Sequence, residues 1–328
     1  MLRDRFGRVA TDLRVSLTDL CSLRCTYCMP AEGLPWLSKA ARLTDDEFVR
    51  LADLFVRLGV RSIRLTGGEP LVHPTLPDVI RRLVALAPRP ELSLTTNGVT
   101  LERSAAELAK AGLDRINISV DTLDRDRFTE LTRRDRLADV LSGVAAAALA
   151  GLAPVKINSV LVRDGNLHEA PALLGWALRS GYELRFIEQM PLDAQHGWDR
   201  AEMITAEEIF DSLSGAFELS EDSERERGAA PAETFLVDGG PARVGVIASV
   251  TRPFCRECDR LRLTADGQLR TCLFARTETD LRAPLRGGAS DDELAEIIIA
   301  AVAEKQAGHG IGSAAFVQPD RTMSAIGG

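Results

Sequence analysis

The sequence predicts an α/β protein organised on a parallel sheet, and three observations predict it. Six strand-like runs recur through the first two thirds of the chain, each followed by a loop and most by a helical stretch. The chemically distinctive segments fall directly after those runs, and the last third changes to short strands and tight turns. Strand-helix units of this length imply right-handed crossovers and therefore parallel strands. Six units make either a partial barrel or a flat doubly wound sheet, and periodicity alone leaves both open. At 328 residues, 45% apolar and 27% charged, the chain has the size of one barrel-type domain plus a smaller one. The expected division is a barrel over 1–215 and a C-terminal α+β region over 216–328.

The strand-like runs are 13–17, 62–66, 91–95, 115–120, 155–162 and 183–187, each rich in β-branched or apolar residues. Thr44-Asp45-Asp46-Glu47 is a capping box, and Phe48, Leu51, Ala52, Phe55 and Leu58 form one apolar stripe behind it. Further helices are expected over 76–86, 101–111, 137–152 and 168–180. A second capping box, Thr205-Ala206-Glu207-Glu208, lies within 201–213, and 218–231 reads as a charged, mobile connection. Hairpins follow around Asp238-Gly239-Gly240 and Asp266-Gly267.

Charge and composition narrow the function. A net charge of -8 argues against bulk nucleic-acid binding, which shows as a basic surplus. The first twelve residues are polar and charged, with no secretory signal visible. The longest nearly apolar stretch, 144–155, falls far short of the roughly 20 residues of a spanning helix. A cytoplasmic protein with reduced thiols is expected, in which six cysteines in two clusters mean metal more readily than disulfides. The chain holds 36 arginines and four lysines, so a single lysine such as Lys156, inside an apolar strand, is more informative than a single arginine.

Cys21, Cys25 and Cys28 follow the first strand as CxxxCxxC on one short loop. Three thiolates can hold three corners of a four-iron cluster, leaving the fourth iron open to a small molecule. A zinc loop completed from elsewhere is the plainer alternative. Gly67-Gly68-Glu69-Pro70 follows the second strand, Thr95-Thr96-Asn97-Gly98 the third, Ser119-Val120-Asp121 the fourth and Gln189-Met190-Pro191 the sixth. Carboxyl-end loops are where such sheets build active sites, so one face collects all of these. Cys255, Cys258 and Cys272 form a second set of three, read either as zinc with an acid or histidine or as a second open cluster.

CxxxCxxC with an aromatic before the last cysteine, followed by GGEP some forty residues on, resembles the radical S-adenosylmethionine (SAM) superfamily. The resemblance favours a partial (β/α)6 barrel of the TIM type. Along nearly its whole length the chain further resembles the GTP 3′,8-cyclase family of molybdenum-cofactor biosynthesis. The matching elements are Asp12 to Ser16, Cys28-Met29-Pro30, Arg64 to Pro70, the second cysteine set, Asp259-Arg260-Leu261-Arg262 and the Gly327-Gly328 end.

The resemblance implies two [4Fe-4S] clusters, on Cys21, Cys25 and Cys28 and on Cys255, Cys258 and Cys272. It implies SAM against Tyr27, Gly68, Ser119 and Met190, and GTP against Arg14, Arg64, Thr95, Lys156, Arg260, Leu261 and Arg262. Arg260, Arg262, Gly327 and Gly328 are the implied catalytic set, with the tail 321–328 reaching the active site. The implied reaction is a lyase's: a 5′-deoxyadenosyl radical takes the C3′ hydrogen of GTP, and C3′ then bonds to C8. Implied partners are a second copy of the chain, a one-electron donor and a downstream cyclic pyranopterin monophosphate synthase. Two other readings remain: a radical SAM enzyme with an auxiliary cluster and a different substrate, and a zinc-stabilised binding protein without catalysis.

Overall fold

The computed structural model describes residues 1–224, 226–313 and 316–327. The first half is a run of strand-helix units: β1 (Asp12–Ser16), α1 (Asp45–Arg57), β2 (Ser62–Thr66), α2 (Leu76–Val84), β3 (Glu91–Thr96), α3 (Leu101–Ala111), β4 (Arg115–Ser119), α4 (Arg125–Thr132), α5 (Leu137–Leu149), β5 (Val155–Leu161), α6 (Ala170–Ser180) and β6 (Glu183–Glu188). After it come α7 (Ala206–Ser214), β7 (Leu219–Glu221), β8 (Glu233–Val237), β9 (Arg243–Ile247), β10 (Arg260–Leu263), β11 (Gln268–Arg270), β12 (Thr279–Asp280), α8 (Arg282–Arg286), α9 (Asp291–Ala303) and α10 (Met323–Ile326).

The expected capping boxes hold the helix starts they were read from. In α1 the Glu47 N–H donates to Thr44 Oγ1 at 3.2 Å while the Thr44 N–H donates to Glu47 Oε2 at 2.8 Å. Phe48, Leu51, Ala52 and Phe55 then pack inward, each at most 4% exposed. A third box, Ser290 with Glu293, starts α9; its Ser-x-x-Glu signal precedes an apolar run that sequence reading passed over.

All twelve strands join one sheet in the order β12-β11-β10-β1-β2-β3-β4-β5-β6-β9-β8-β7. β1 to β6 run parallel in sequence order, as expected of a partial barrel, and the sheet stays open, ending on β12 and β7. The C-terminal strands lengthen this same sheet at both ends. β10 pairs parallel with β1 and β9 parallel with β6, and antiparallel hairpins complete the two edges. The parallel strands alternate: Leu13, Val15, Ile63, Leu65, Leu92 and Leu94 share the core face with no exposure at all, while Arg14, Arg64 and Ser93 fall on the other face.

One expected connection is corrected. Residues 219–221 of the charged stretch are strand β7, paired with β8, and Asp222 is buried against Arg243 at 2.7 Å. A salt-bridged aspartate gives the segment an anchor that its charge density hides. No helix among the described residues is long and apolar enough to cross a membrane.

Candidate active site

The first cysteine loop leaves β1 and docks on the end of α4. The Arg24 and Thr26 N–H groups donate to Thr132 O and Leu131 O, and Arg133 Nη1 donates to Arg24 O and Met29 O at 2.8 and 2.9 Å. The turn after β2 closes over the loop's start. The Gly68 N–H donates to Thr18 O at 2.8 Å and the Glu69 N–H to Leu20 O at 2.7 Å. A Cβ at Gly68 would collide with the carbonyl oxygens of Asp19 and Leu20, so glycine serves the chain's own close approach as well as any ligand's.

Cys21, Cys25 and Cys28 line one cavity with Gly67, Gly68, Thr95, Asn97, Ser119 and Asp121. Their thiols are free. Burial pushes Cys21 up to about 11 and Cys28 up to about 12, and lifts Cys25 well above the ordinary thiol range. Two buried carboxylates deepen the effect. Glu69, raised to about 7 by burial, accepts from Thr96 Oγ1 (2.6 Å) and from the Leu71 and Asn97 N–H groups. Asp121, raised to about 6 by burial, accepts from the Tyr27 hydroxyl at 2.6 Å. Three thiols in such surroundings stay protonated until a cation takes them, since metal ligation needs the thiolate. Among the described residues no three metal-ligating side chains converge closely enough for a single ion. Three buried thiols on one loop suit an iron-sulfur cluster whose fourth iron stays open.

The second triad, Cys255, Cys258 and Cys272, lines a neighbouring cavity of about 270 Å³. Tyr27, Thr95, Ser119, Asp121 and Met323 line both cavities and form the boundary between them. Across the larger one runs a row of arginines fixed by strand register: Arg262 on β10 lies opposite Arg14 on β1, and Arg14 opposite Arg64 on β2. Like charges directly opposite on adjacent strands repel. Burial lowers all three from the usual guanidinium range, Arg14 to about 9, and the neighbouring arginines pull it down further. The Nε atoms of Arg14 and Arg64 are buried without a hydrogen-bond acceptor. A guanidinium does not give up its proton at neutral pH, so this row calls for an anion with several oxygens.

The expected site residues fall as follows. Arg14, Tyr27, Arg64, Thr95, Ser119, Met190, Arg260 and Arg262 line the larger cavity, and Gly68 the smaller. Lys156 is 5% exposed and shares the strand face of Asn158 and Val160, which line the cavity one and two rungs on; its Nζ pairs with Glu183 Oε2 at 3.2 Å, and burial lowers it to about 8. Strand alternation turns the Leu261 side chain into the hydrophobic core, away from the cavity, between Arg260 and Arg262. Any role in nucleotide binding falls to its main chain.

The tail enters the site. Gly327 O accepts from Arg262 Nη1, the Ser324 main chain hydrogen-bonds the Cys28 thiol, and a Cβ at Gly327 would collide with Ser16 Oγ and Thr66 Oγ1. Gly328 lies outside the described residues. Sequence reading missed Arg185, which lines the cavity beside Asn158, although an arginine inside a buried strand is the same signal that singled out Lys156. It also missed Phe254, Phe274 and His309, whose loops carry no periodic pattern.

An open parallel α/β barrel with three thiols at the carboxyl mouth defines a radical SAM protein, and the comparisons agree. The Radical SAM superfamily model matches residues 15–177, and the model described as Molybdenum Cofactor Synthesis C matches 182–311. The crystal structure of Streptococcus suis SuiB bound to S-adenosylmethionine shares the fold at 13% identity, with a TM-score of 0.60 over 89% of this chain and 68% of that one. The GTP 3′,8-cyclase of Streptomyces coelicolor is 64% identical over 100% of this chain and 96% of its own length, and that of Mycolicibacterium smegmatis 58% over 100% and 92%. The chain belongs to the GTP 3′,8-cyclase family.

Proposed function

We propose that this chain is a GTP 3′,8-cyclase: it converts GTP to (8S)-3′,8-cyclo-7,8-dihydroguanosine 5′-triphosphate, the first step of molybdenum-cofactor synthesis. The observation that carries the reading is the row Arg262-Arg14-Arg64, three buried cations that, among the described residues, share the single ion pair of Arg14 with Asp12 at 4.0 Å and face a second thiol triad across one cavity. A triphosphate supplies the oxygens this row lacks, because planar guanidinium groups take phosphate oxygens in pairs. Lys156 and Arg185 extend the cationic wall along β5 and β6.

Each triad holds one [4Fe-4S] cluster. At the first, Cys21, Cys25 and Cys28 would hold the cluster that, with SAM bound, would supply one-electron radical chemistry directed at the C3′ hydrogen of the ribose. The chain's own residues do the positioning. Gly68, Tyr27, Ser119 and Met190 take SAM, and Tyr27 is held by its donation to Asp121. Arg14, Arg64, Thr95, Arg260 and Arg262 take the nucleotide, and Lys156, held by Glu183, adds a cation below them. Arg262 also grips Gly327, so the tail and the phosphate row share one side chain. Fixing both ligands across the Tyr27-Ser119-Met323 boundary turns an encounter into an intramolecular reaction. A second copy of the chain, a one-electron donor and a downstream cyclic pyranopterin monophosphate synthase, all in the cytoplasm, complete the reading.

The test is anaerobic: reconstitute the clusters, add SAM and a strong one-electron reductant, and quantify 5′-deoxyadenosine with GTP, with ATP and with neither. Release that rises with GTP alone, together with a cyclised nucleotide, is the expected result. Release indifferent to nucleotide would overturn the substrate.

A further inference from the structure

Two of the chain's four lysines are buried. Lys156 has Glu183 as its counter-charge; Lys305, 3% exposed just beyond α9, pairs with no carboxylate among the described residues. Its ammonium donates to Arg260 O at 2.7 Å and Cys258 O at 3.0 Å, and lies 3.6 Å from Cys258 Sγ. Two carbonyls take two of its three protons and leave its charge uncompensated. A buried ammonium in that state is costly, so its charge is directed at an anion nearby. The sulfur of Cys258 is the candidate in hydrogen-bond reach.

The other end of the same turn sharpens the contrast. Arg8 donates to Cys255 O at 2.7 Å and to Gln306 O and Ala307 O at 2.6 and 3.0 Å, binding the cysteine turn to the segment after α9. Arg8 is neutralised by Asp4 at 2.6 Å. Both cations clamp the turn, yet only Lys305 arrives without a carboxylate. Lys305 does not line the substrate cavity, so its influence on the site runs through Cys258. Arg260, which does line the cavity, leans its guanidinium over Phe254 at 4.9 Å and donates to Ala229 O.

Resting on the reading that the second triad carries a cluster, we infer that Lys305 is its positioning residue: it fixes the Cys258–Arg260 turn, and its N–H···S contact and charge raise that cluster's reduction potential. Hydrogen bonds to ligand sulfurs and local charge are the levers by which a protein sets such potentials. A cation a single hydrogen bond from the ligand stabilises the reduced, more negative state.

The experiment is a reductive titration of the reconstituted full-length holoenzyme followed by electron paramagnetic resonance, with iron counted in parallel. Added SAM marks the signal of the first cluster, which serves as the internal standard. In Lys305→Met the second cluster's midpoint should move to more negative potential while the first stays in place, and Lys305→Arg should restore most of the shift. If Lys305→Met instead sheds the second cluster's iron and Lys305→Arg retains it, the positioning role stands on that loss. A full iron complement with an unmoved second midpoint overturns the inference, as does equal iron loss from both sites. The cluster reading fails separately: wild-type protein holding only about four irons, a number unaffected by Cys258→Ala, would sink it and the inference together.

Discussion

Cys21, Cys25 and Cys28 sit among carboxylates, whereas Cys255, Cys258 and Cys272 sit among cations. Burial, Glu69 and Asp121 hold the first set of thiols up. At the second, burial pulls Cys258 up, but Arg260 and Lys305 outweigh it and keep the thiol below its ordinary range. Burial raises Cys255 as it raises the first set, so the opposite electrostatics of the two triads is concentrated on Cys258. If each triad carries a cluster as proposed, the anionic setting suits one that gives an electron away and the cationic one a cluster beside a negatively charged nucleotide. The contrast teaches that the motif supplies metal while the surrounding charges divide the labour.

The largest effect is expected from breaking one triad at a time. Cys25→Ala should abolish reductive SAM cleavage altogether, and Cys258→Ala should leave cleavage in place while eliminating the dependence on GTP. Iron should fall from about eight to about four per chain in each variant. Quantifying 5′-deoxyadenosine and iron in both checks the assignment. Loss of cleavage from both variants alike would erase the distinction between the two sites.

Truncation after Met323 should act next most strongly, because the tail touches both sides of the contrast. Ser324 hydrogen-bonds Cys28 of the first triad and Gly327 O takes a bond from Arg262 of the phosphate row. Removing the segment frees Arg262 and loosens the wall at Met323 together. Cyclisation should fall by about 10- to 100-fold, the range for losing one or two hydrogen bonds to charged groups, while both clusters keep their iron. Cyclised nucleotide per iron is the quantity to measure, and full activity in the truncated chain would remove the tail from the site.

Much of this arrangement is legible in the sequence, and the reasons are local. Parallel strands advertise themselves as short apolar runs, so 62–66 and 155–162 fall within a residue of β2 and β5. Capping boxes mark helix starts because both reciprocal hydrogen bonds lie within four residues. The cysteines declare metal by spacing alone. What stays hidden depends on pairing between distant segments. Nothing around Lys305 announces that it reaches Cys258, forty-seven residues earlier in the chain. Nor does the sequence tell that β10 slides beside β1 and thereby sets Arg262 against Arg14. The two-residue period of a strand turns the Leu261 side chain to the core between two cavity-lining arginines.

The smallest and most discriminating effect concerns the carboxylate side of the contrast in the metal-free chain. Glu69 is 2% exposed, and its two oxygens accept from Thr96 Oγ1, the Leu71 N–H and the Asn97 N–H. Burial nonetheless raises it from 4.5 to about 7. Between those values the native chain holds a proton that the unfolded chain has released, so stability must fall as pH rises through this window and level off above it. The contribution of this one group is about 3 kcal/mol at most, at about 1.4 kcal/mol for each tenfold change in proton affinity. Glu69→Gln presents an amide to one of three donors and lowers stability at every pH, but it cannot titrate. Thermal melts of the metal-free chain from pH 4.5 to 8 should therefore show a shallower decline in the variant than in the wild type. Parallel curves would mean that the three donors hold Glu69 ionised, and the first triad would then carry a fixed negative charge beside Cys21 at all working pH values.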